Sequence, residues 1–453
     1  MITYQDLLKH NGSEEDKMTF VRSCIDAHKR SDSYKIAKDA YEYNCHRNVT
    51  ISEYQKLLYK VTGEAIPDNW SANFKMASRF FNRFILQEVQ YLLGNGVTWV
   101  NEGTEEKLGN EKYPIDNQLV KAAKSSKWGG VSFGFFNYDH VDVFDILEFV
   151  PLYDEEDGSM KAGIRWWQID DLKPIRATLY ELDGFTNYKW GENGGELVHE
   201  KRAYKLKTRT TVADGTEIYD GENYPSFPIV PLWANPEHQS EIVGLREQID
   251  CYDLIKSGFA NTVDEASYVY WTINNAGGMG DVDLAKFVQR LKTLHAATVE
   301  DDGASAQSHM QEVPYASRET LLDRLEKDLY RDAMALDTDN IANGAVTATQ
   351  IRAAYEPINS KTDEFEYCVL DFINGILNIA GIEDEASFTR SKIINVQEEV
   401  SVILQAAQYL TEDYVTEKIL TILGDADKSD EMILEKEEDS FERVIPAEED
   451  EEQ

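Results

Sequence analysis

Apolar residues recur along this chain with two different periods, and the changes of period divide it. From Ser317 to Leu336, the residues Leu321, Leu322, Leu325, Leu329, Ala333 and Leu336 fall three or four positions apart. Arg318, Glu319, Asp323, Arg324, Lys327, Asp328 and Arg331 occupy the other faces, so the spacing predicts an amphipathic helix. The segment 337–347, with Asp337, Asp339, Asn340, Asn343, Gly344 and Thr347, is too polar and too rich in Gly and Asn to continue it. A second helical pattern runs from about Ala348 to Ala380 with Pro357 inside it. A proline there removes a backbone donor and crowds the preceding turn, which predicts a kink. An earlier helix is predicted from Ser240 to Tyr268, where Ile242, Leu245, Ile249, Tyr252, Ile255 and Phe259 keep the same spacing.

Residues 1–65 read as short helices, one starting at the acidic Ser13-Glu14-Glu15-Asp16 and others over Asp32–Asn44 and Ser52–Val61. A stronger helix is predicted from Trp70 to Leu93, with Phe74, Ala77, Phe81, Phe84, Ile85, Val89, Leu92 and Leu93 on one face and Gly94-Asn95-Gly96 as its stop. Beyond a short helix at Asn117–Lys127 the period becomes two. Strands are expected at 141–149, 163–167, 176–182, 186–190, 200–206 and 216–219, separated by Asp157-Gly158, Asp183-Gly184, Asn193-Gly194-Gly195 and Asp214-Gly215. The proline-bounded stretch Phe227–Leu232 closes this antiparallel region. Residues 269–315 read as a small mixed unit: strand 268–273, the turn Gly277-Gly278-Met279-Gly280, helix 282–292 and strands 296–299 and 310–312. After an extended stretch at 388–398, helices are expected over 400–409, 412–423 and 430–441.

Composition narrows the function classes. With 83 acidic against 45 basic residues the net charge is −38, which argues against general affinity for nucleic acid, since phosphate binding requires clustered Lys and Arg. The simplest reading of such acidity is a soluble surface that resists precipitation; proximity to DNA is not excluded, since an acidic wall suits a passage that must not grip. The four cysteines, Cys24, Cys45, Cys251 and Cys368, form no CxxC pair, so a reducing cytosol is expected and neither a disulfide framework nor a zinc site. The N-terminus lacks the basic start and apolar run of a signal peptide. The most apolar helical stretch, Cys368–Ile382, is broken by Asp371, Asn374 and Asn378, so no membrane span is expected. The last 24 residues carry 12 acidic and 2 basic side chains, and 446–453 is expected to be a disordered acidic tail.

No catalytic constellation emerges. Gly277-Gly278-Met279-Gly280 lacks the dinucleotide-binding spacing and has no following Lys-Ser/Thr for a phosphate loop. Asp425-Ala426-Asp427-Lys428-Ser429-Asp430 begins like a calcium loop but has Asp430 where Gly is needed and Lys436 where a bidentate Glu is needed. Asp139-His140-Val141-Asp142 offers metal ligands without a second histidine cluster, and the eight histidines are isolated. The reading is a non-enzyme with no cofactor and no metal.

The order of the elements resembles the portal proteins of tailed phages, in the branch of siphophages with Gram-positive hosts. Asn73-Phe74-Lys75 leading to Tyr91-Leu92-Leu93-Gly94-Asn95-Gly96-Val97 resembles the family's long N-terminal helix and its ending. Phe227-Pro228-Ile229-Val230-Pro231-Leu232-Trp233-Ala234-Asn235 resembles its proline-bounded segment, and Ile249-Asp250-Cys251-Tyr252-Asp253 with Ser257 and Asn261 its following helix. Asn95 stands where the family usually has Lys, Trp233-Ala234-Asn235 where an Asn pair is common, and the loop before Ala348 lacks the usual Gly-Val-Ala-Leu wording.

The resemblance implies an α+β, multi-domain subunit with long stem helices, a β-rich wing, a small α/β clip and a helical C-terminal crown. Its parts would be a wing at 1–236, stem helices at 237–268 and 316–336, and a clip at 269–315. A DNA-facing tunnel loop at 337–347 and a kinked helix at 348–382 hinged at Pro357 would follow, then a wing return at 383–410 and a crown at 411–445. It further implies a homo-oligomeric ring of twelve at one capsid vertex of the virion, assembled in the host cytoplasm. Double-stranded DNA would pass through it. The terminase large subunit, which would carry ATP hydrolysis, the head-completion adaptor, and the major capsid and scaffolding proteins would be its partners. The rival readings are an acidic cytosolic adaptor or scaffold without a DNA channel, and a hydrolase or nucleotidyl enzyme, for which no motif speaks.

Overall fold

The computed structural model describes residues 2–59, 63–69, 71–192, 194–211, 217–266, 270–274, 280, 282, 286, 289, 305–309, 315–338, 348–391, 400 and 403–423. Four helices open the chain: α1 (Tyr4–Lys9), α2 (Glu14–Arg30), α3 (Asp32–Asn44) and α4 (Val49–Glu53). Ser13 caps α2 and Ser31 caps α3, each accepting a backbone N–H three residues on, which satisfies a donor the helix itself leaves unpaired. A hairpin of β1 (Leu57–Tyr59) and β2 (Ala65–Pro67) follows, where the sequence pattern predicts a helix over 52–61. Then come α5 (Phe80–Leu93), β3 (Val97–Trp99), α6 (Thr104–Leu108) and α7 (Ile115–Gly129).

The β-rich region contains β4 (Val131–Asn137), β5 (His140–Asp145), β6 (Phe149–Tyr153), β7 (Met160–Trp167), β8 (Ile175–Glu181), β9 (Gly184–Gly191), β10 (Gly194–Arg202), β11 (Lys205–Thr211), β12 (Glu217–Glu222) and β13 (Ile229–Trp233). It forms two main antiparallel sheets, β10-β9-β8-β7-β6 and β13-β4-β5, plus the β11-β12 hairpin. The apolar side of α2 (Phe20, Val21, Cys24, Ile25) packs on alternate residues of the five-stranded sheet, including Leu152, Ile164, Leu179 and Tyr188. That alternation is the period-two signal seen in the sequence.

The chain continues through α8 (Arg246–Ala266), a strand pair β14 (Tyr270–Asn274) with β15 (Ser305–His309), α9 (Tyr315–Asp332), and α10 (Ala348–Ala380). It ends its described course with β16 (Ala386–Phe388), a short turn of 3-10 helix (Ala407–Tyr409) and α11 (Glu412–Leu423). The strand at Ser305–His309 falls where none was expected, and the expected strand 310–312 lies outside the described residues. The expected strand 296–299, helix 430–441 and acidic tail, and most of helix 282–292, lie outside the described residues. β16 pairs with β3, so residues 386–388 join the N-terminal body.

Two compact units result: residues 1–335 with 360–389, and residues 336–359 with 390–453. In the first, α10 lies across the three-stranded sheet with almost no clearance. A Cβ on Gly134 would come within 2.4 Å of the Phe372 ring, and one on Gly375 within 2.7 Å of Val230. The second unit buries Tyr355, Ile358, Val415 and Leu420.

Candidate functional site: the paired helices and their anchors

α8 and α9 run antiparallel in close register. Arg318 donates to Thr262 Oγ1 at 3.0 Å near one end, and Gln248 donates to Asp332 Oδ2 at 2.5 Å near the other. Phe259 meets Tyr315 edge-on, and Phe80 of α5 meets both Tyr252 and Tyr330 edge-on. α9 buries little along its length. Leu321, which its spacing assigns to an apolar face, is 44% exposed, whereas Leu329, Tyr330 and Ala333 at its C-terminal end are buried.

The other side of α8 carries a stripe of buried polar side chains. Asp253, Ser257 and Asn261 stand four residues apart and are 0%, 4% and 4% exposed. An extended stretch, 72–79, runs along them. The N–H of Phe74 donates to Asn261 Oδ1 at 2.7 Å, that of Met76 to Ser257 Oγ at 3.0 Å, and that of Ser78 to Asp253 Oδ1 at 3.0 Å. One helical turn rises about 6 Å over four residues and an extended chain about 6.8 Å over two, so every second amide meets the next turn. This corrects the expectation of a helix from Trp70. Phe74 and Ala77 continue the helical spacing backwards, but the amides of Phe74, Met76 and Ser78 are taken by α8, and α5 begins at Phe80. Burial, its largest influence, raises the Asp253 carboxyl above the ordinary range, although its hydrogen bonds to Asn48 and Ser78 act the other way.

A second anchor lies where four segments converge. Glu88 of α5, Lys127 of α7, Glu241 before α8 and Lys361 of α10 form a closed ring of ion pairs. Glu88 Oε1 meets Lys127 Nζ at 2.6 Å and Oε2 meets Lys361 Nζ at 3.1 Å. Glu241 Oε1 meets Lys127 at 3.4 Å and Oε2 meets Lys361 at 2.9 Å. The Glu88 oxygens are held by charge without aligned hydrogen bonds. Lys127 also donates to the Ala234 carbonyl at 2.9 Å and Lys361 to the Ala333 carbonyl at 3.3 Å, so the ring grips the end of α9 as well. Side-chain exposure is 1% for Lys127 and 3% for Glu88. Burial alone would raise the Glu241 carboxyl, but Lys127 and Lys361 outweigh it and bring it down to about 2. Lys361 is the converse: burial disfavours its charge, and Glu88 and Glu241 raise it well above the usual ammonium range. Such a network is unforgiving, because removing one member leaves its partners charged in an apolar interior.

α9 ends just short of the polar segment 337–347. The Ala335 N–H donates to the Tyr330 carbonyl and the Met334 N–H to the Arg331 carbonyl, a Schellman closure that puts Met334 at φ 53°. Of the loop residues singled out in the sequence, Asp337 is described and half-buried; Asp339, Asn340, Asn343, Gly344 and Thr347 lie outside the described residues. Pro357 sits within α10, three residues before the helix passes from the second compact unit into the first. Lys361 follows on the next turn. None of the four ring members is singled out by sequence reasoning, although Glu88 carries a signal: it sits on the apolar face between Ile85 and Leu92.

Among the described residues no group of three or more His, Cys, Asp or Glu could hold a metal, and no helix is long and apolar enough to cross a membrane. Asp139, His140 and Asp142 pair with one another, His140 Nδ1 lying 2.8 Å from Asp139 and Nε2 3.5 Å from Asp142. The chemistry at these positions is that of joints between elements, as in a structural subunit. The family model described as "Phage portal protein, SPP1 Gp6-like" matches residues 24–442, and the chain belongs to that family. A portal protein of Clostridium phage phiCD119 is 23% identical over 321 residues, covering 68% of this chain and 64% of that protein. The portal protein of Bacillus phage SPP1 is 21% identical over 378 residues, covering 78% of this chain and 70% of its own. The match therefore spans a little under two thirds of the first relative's length. Among solved structures, a chain from the virion of a native gene transfer agent particle aligns with a TM-score of 0.46 and 11% identity, over 76% of this chain and 89% of that one.

Proposed function

We propose that this chain is a portal subunit: copies form a twelve-membered ring at one capsid vertex, and double-stranded DNA enters and leaves the head through the central hole. The observation that carries the reading is the family match over residues 24–442, which includes the α8–α9 pair and both anchors. In this reading residues 1–236 and 383–410 form the wing, α8 and α9 the stem, 269–315 the clip and 411–445 the crown. The clip receives the terminase large subunit during packaging and the head-completion adaptor afterwards, and the outer body meets the major capsid and scaffolding proteins. No catalytic step is assigned to the chain; ATP hydrolysis is the terminase's.

Segment 337–347 faces DNA. It carries Asp337 and Asp339 and no Lys or Arg, so the carboxylates repel phosphate while Asn340, Asn343 and Thr347 offer brief polar contacts. Pro357 is the hinge of this loop, and the ion-pair ring, closed by Lys361, is its fixed end. Negative-stain microscopy of the purified protein tests the reading: rings with a central hole are expected, and a monodisperse monomer at every concentration refutes it. Replacing Asp337 and Asp339 by Lys should slow packaging in a terminase-driven assay; unchanged packaging would remove the loop from the DNA path.

A further inference from the structure

We propose that the turn between β7 and β8 is a docking knob for a second copy of this chain, and that an apolar cavity beside β6 is the socket that receives it. The proposal rests on the ring reading above and adds to it a named contact between neighbours.

Ile169 and Leu172, in that turn, are 85% and 92% exposed, more than any other large hydrophobic side chain among the described residues. Their turn is held rigid. The Lys173 N–H donates to the Asp170 carbonyl at 2.8 Å and the Leu172 N–H to Asp170 Oδ1 at 2.9 Å. Gln168 Nε2 donates to the Lys173 carbonyl at 2.9 Å and the Asp171 carbonyl at 3.3 Å. Two aliphatic side chains fixed in water by their own turn contribute nothing to the isolated fold. Because the turn is already ordered, docking costs little entropy.

The socket is a cavity of about 670 Å³ bounded by α2, the start of α3, β6 and residues 238–243. Its lining is mainly apolar and includes Ile36 and Val243, which are 39% and 47% exposed, so apolar surface inside it is uncovered in the single chain. Arg30, also exposed, belongs to the same lining. Charge therefore matches as well as polarity: Asp170 and Asp171 flank the aliphatic pair, and Arg30 meets them in the socket. In a chain of net charge −38 an acidic knob is repelled by most of the surface, so a cation beside an apolar hole is selective. Knob and socket are different surfaces of one chain. A contact between them is head-to-tail, the kind that repeats from copy to copy and forms a ring when its rotation closes.

Sedimentation or mass photometry of the full chain tests this. Ile169→Asp with Leu172→Asp destroys the knob, and Ala27→Trp fills the socket; Ile36→Glu serves if the tryptophan variant fails to fold. Each should raise the concentration needed for assembly about 100-fold while the knob variant keeps its melting temperature. Mixing a knob variant with a socket variant should give a two-subunit species and no ring, since one intact knob faces one intact socket. Knob-variant rings that form at wild-type concentration overturn the proposal, and if those rings then fail to join a capsid or adaptor the knob belongs to that partner instead. Wild-type protein that never assembles overturns the ring reading and this proposal with it.

Discussion

Replacing Lys361 by Met should be among the most damaging single changes in the first compact unit. The methionine keeps the unbranched stem and removes the ammonium that joins Glu88 to Glu241 at 3.1 and 2.9 Å. Glu241 then has Lys127 alone, at 3.4 Å, and Glu88 Oε2 has lost its lysine. The scale follows from the carboxyl itself. Its fall from the ordinary 4.5 to about 2, at about 1.4 kcal/mol per pH unit, corresponds to about 3 kcal/mol of stability held in its interactions at neutral pH. Breaking a buried pair by deleting one partner costs about 3–5 kcal/mol in general, so a loss of about 3 kcal/mol is expected. Urea unfolding at pH 7 under conditions that keep the protein monomeric measures it. The pH dependence is a second reading. A depressed carboxyl stabilises the fold above its unfolded value, and that contribution disappears as pH falls from 4.5 through about 2. Wild type should lose stability over that window and Lys361→Met should lose much less. Lys361→Met with Glu241→Gln should cost less than the two changes summed, because they share an interaction. A single-variant loss under about 1 kcal/mol, or full additivity, would refute the closed ring as an anchor.

Asn261→Leu keeps the bulk at the polar stripe but removes the acceptor for Phe74, so a cost of about 1–3 kcal/mol is expected. Amide exchange at Phe74 should quicken most, and unchanged protection there would show that the stripe does not hold the extended stretch. Met334→Gly relieves a left-handed backbone position at the end of α9 and should raise stability by about 1 kcal/mol in the same urea assay; a loss would mean that the methionine side chain outweighs the strain. Burial and then Glu148 push the Asp145 carboxyl up to about 6, so the fold favours the protonated acid and loses stability as pH rises from 3.8 through about 6. Asp145→Asn can keep accepting from the Leu147 and Glu148 amides, and it should flatten that slope and stabilise the protein at pH 7. A melting temperature at pH 7 equal to or below wild type would contradict it.

The parts of the fold legible in the sequence are those written in one element's own period. α10 spans Ala348–Ala380 as its apolar spacing predicts, and the alternation along β9 follows directly from burial of Gly184, Thr186 and Tyr188 on one face, whereas β8 is buried on both. Helix ends were harder where the chain departs from common caps. Gly381 marks the end of α10 plainly, with the Ile382 N–H closing onto the Leu377 carbonyl, but the same closure at α9 uses Met334, so the sequence there predicts a helix running on to Leu336. The extended stretch 72–79 is hidden in the sequence for a different reason. Its apolar residues keep helical spacing, and what defeats the helix is a set of acceptors some 180 residues away. The signal existed in α8, where Asp253, Ser257 and Asn261 put three short polar side chains on one face of an otherwise ordinary helix. These residues also carry part of the resemblance to portal proteins, and the hydrogen bonds supply a physical reason for their spacing.

The ion-pair ring was out of reach of any such period, since its members come from four segments and each looks like one charge among many. A buried lysine becomes visible only when the carboxylates around it are known. Composition in an acidic chain works against finding them, because the 83 acidic side chains make any particular Glu unremarked until burial singles it out. The same logic applies to the loop at 337–347. Its lack of Lys and Arg is readable in sequence, whereas the Lys361 anchor that would bear on it in the proposed portal role is not. If Lys361 is that anchor, Lys361→Met should alter packaging through the loop even though the residue lies outside it, and a variant that is destabilised yet packages at the wild-type rate would separate the two.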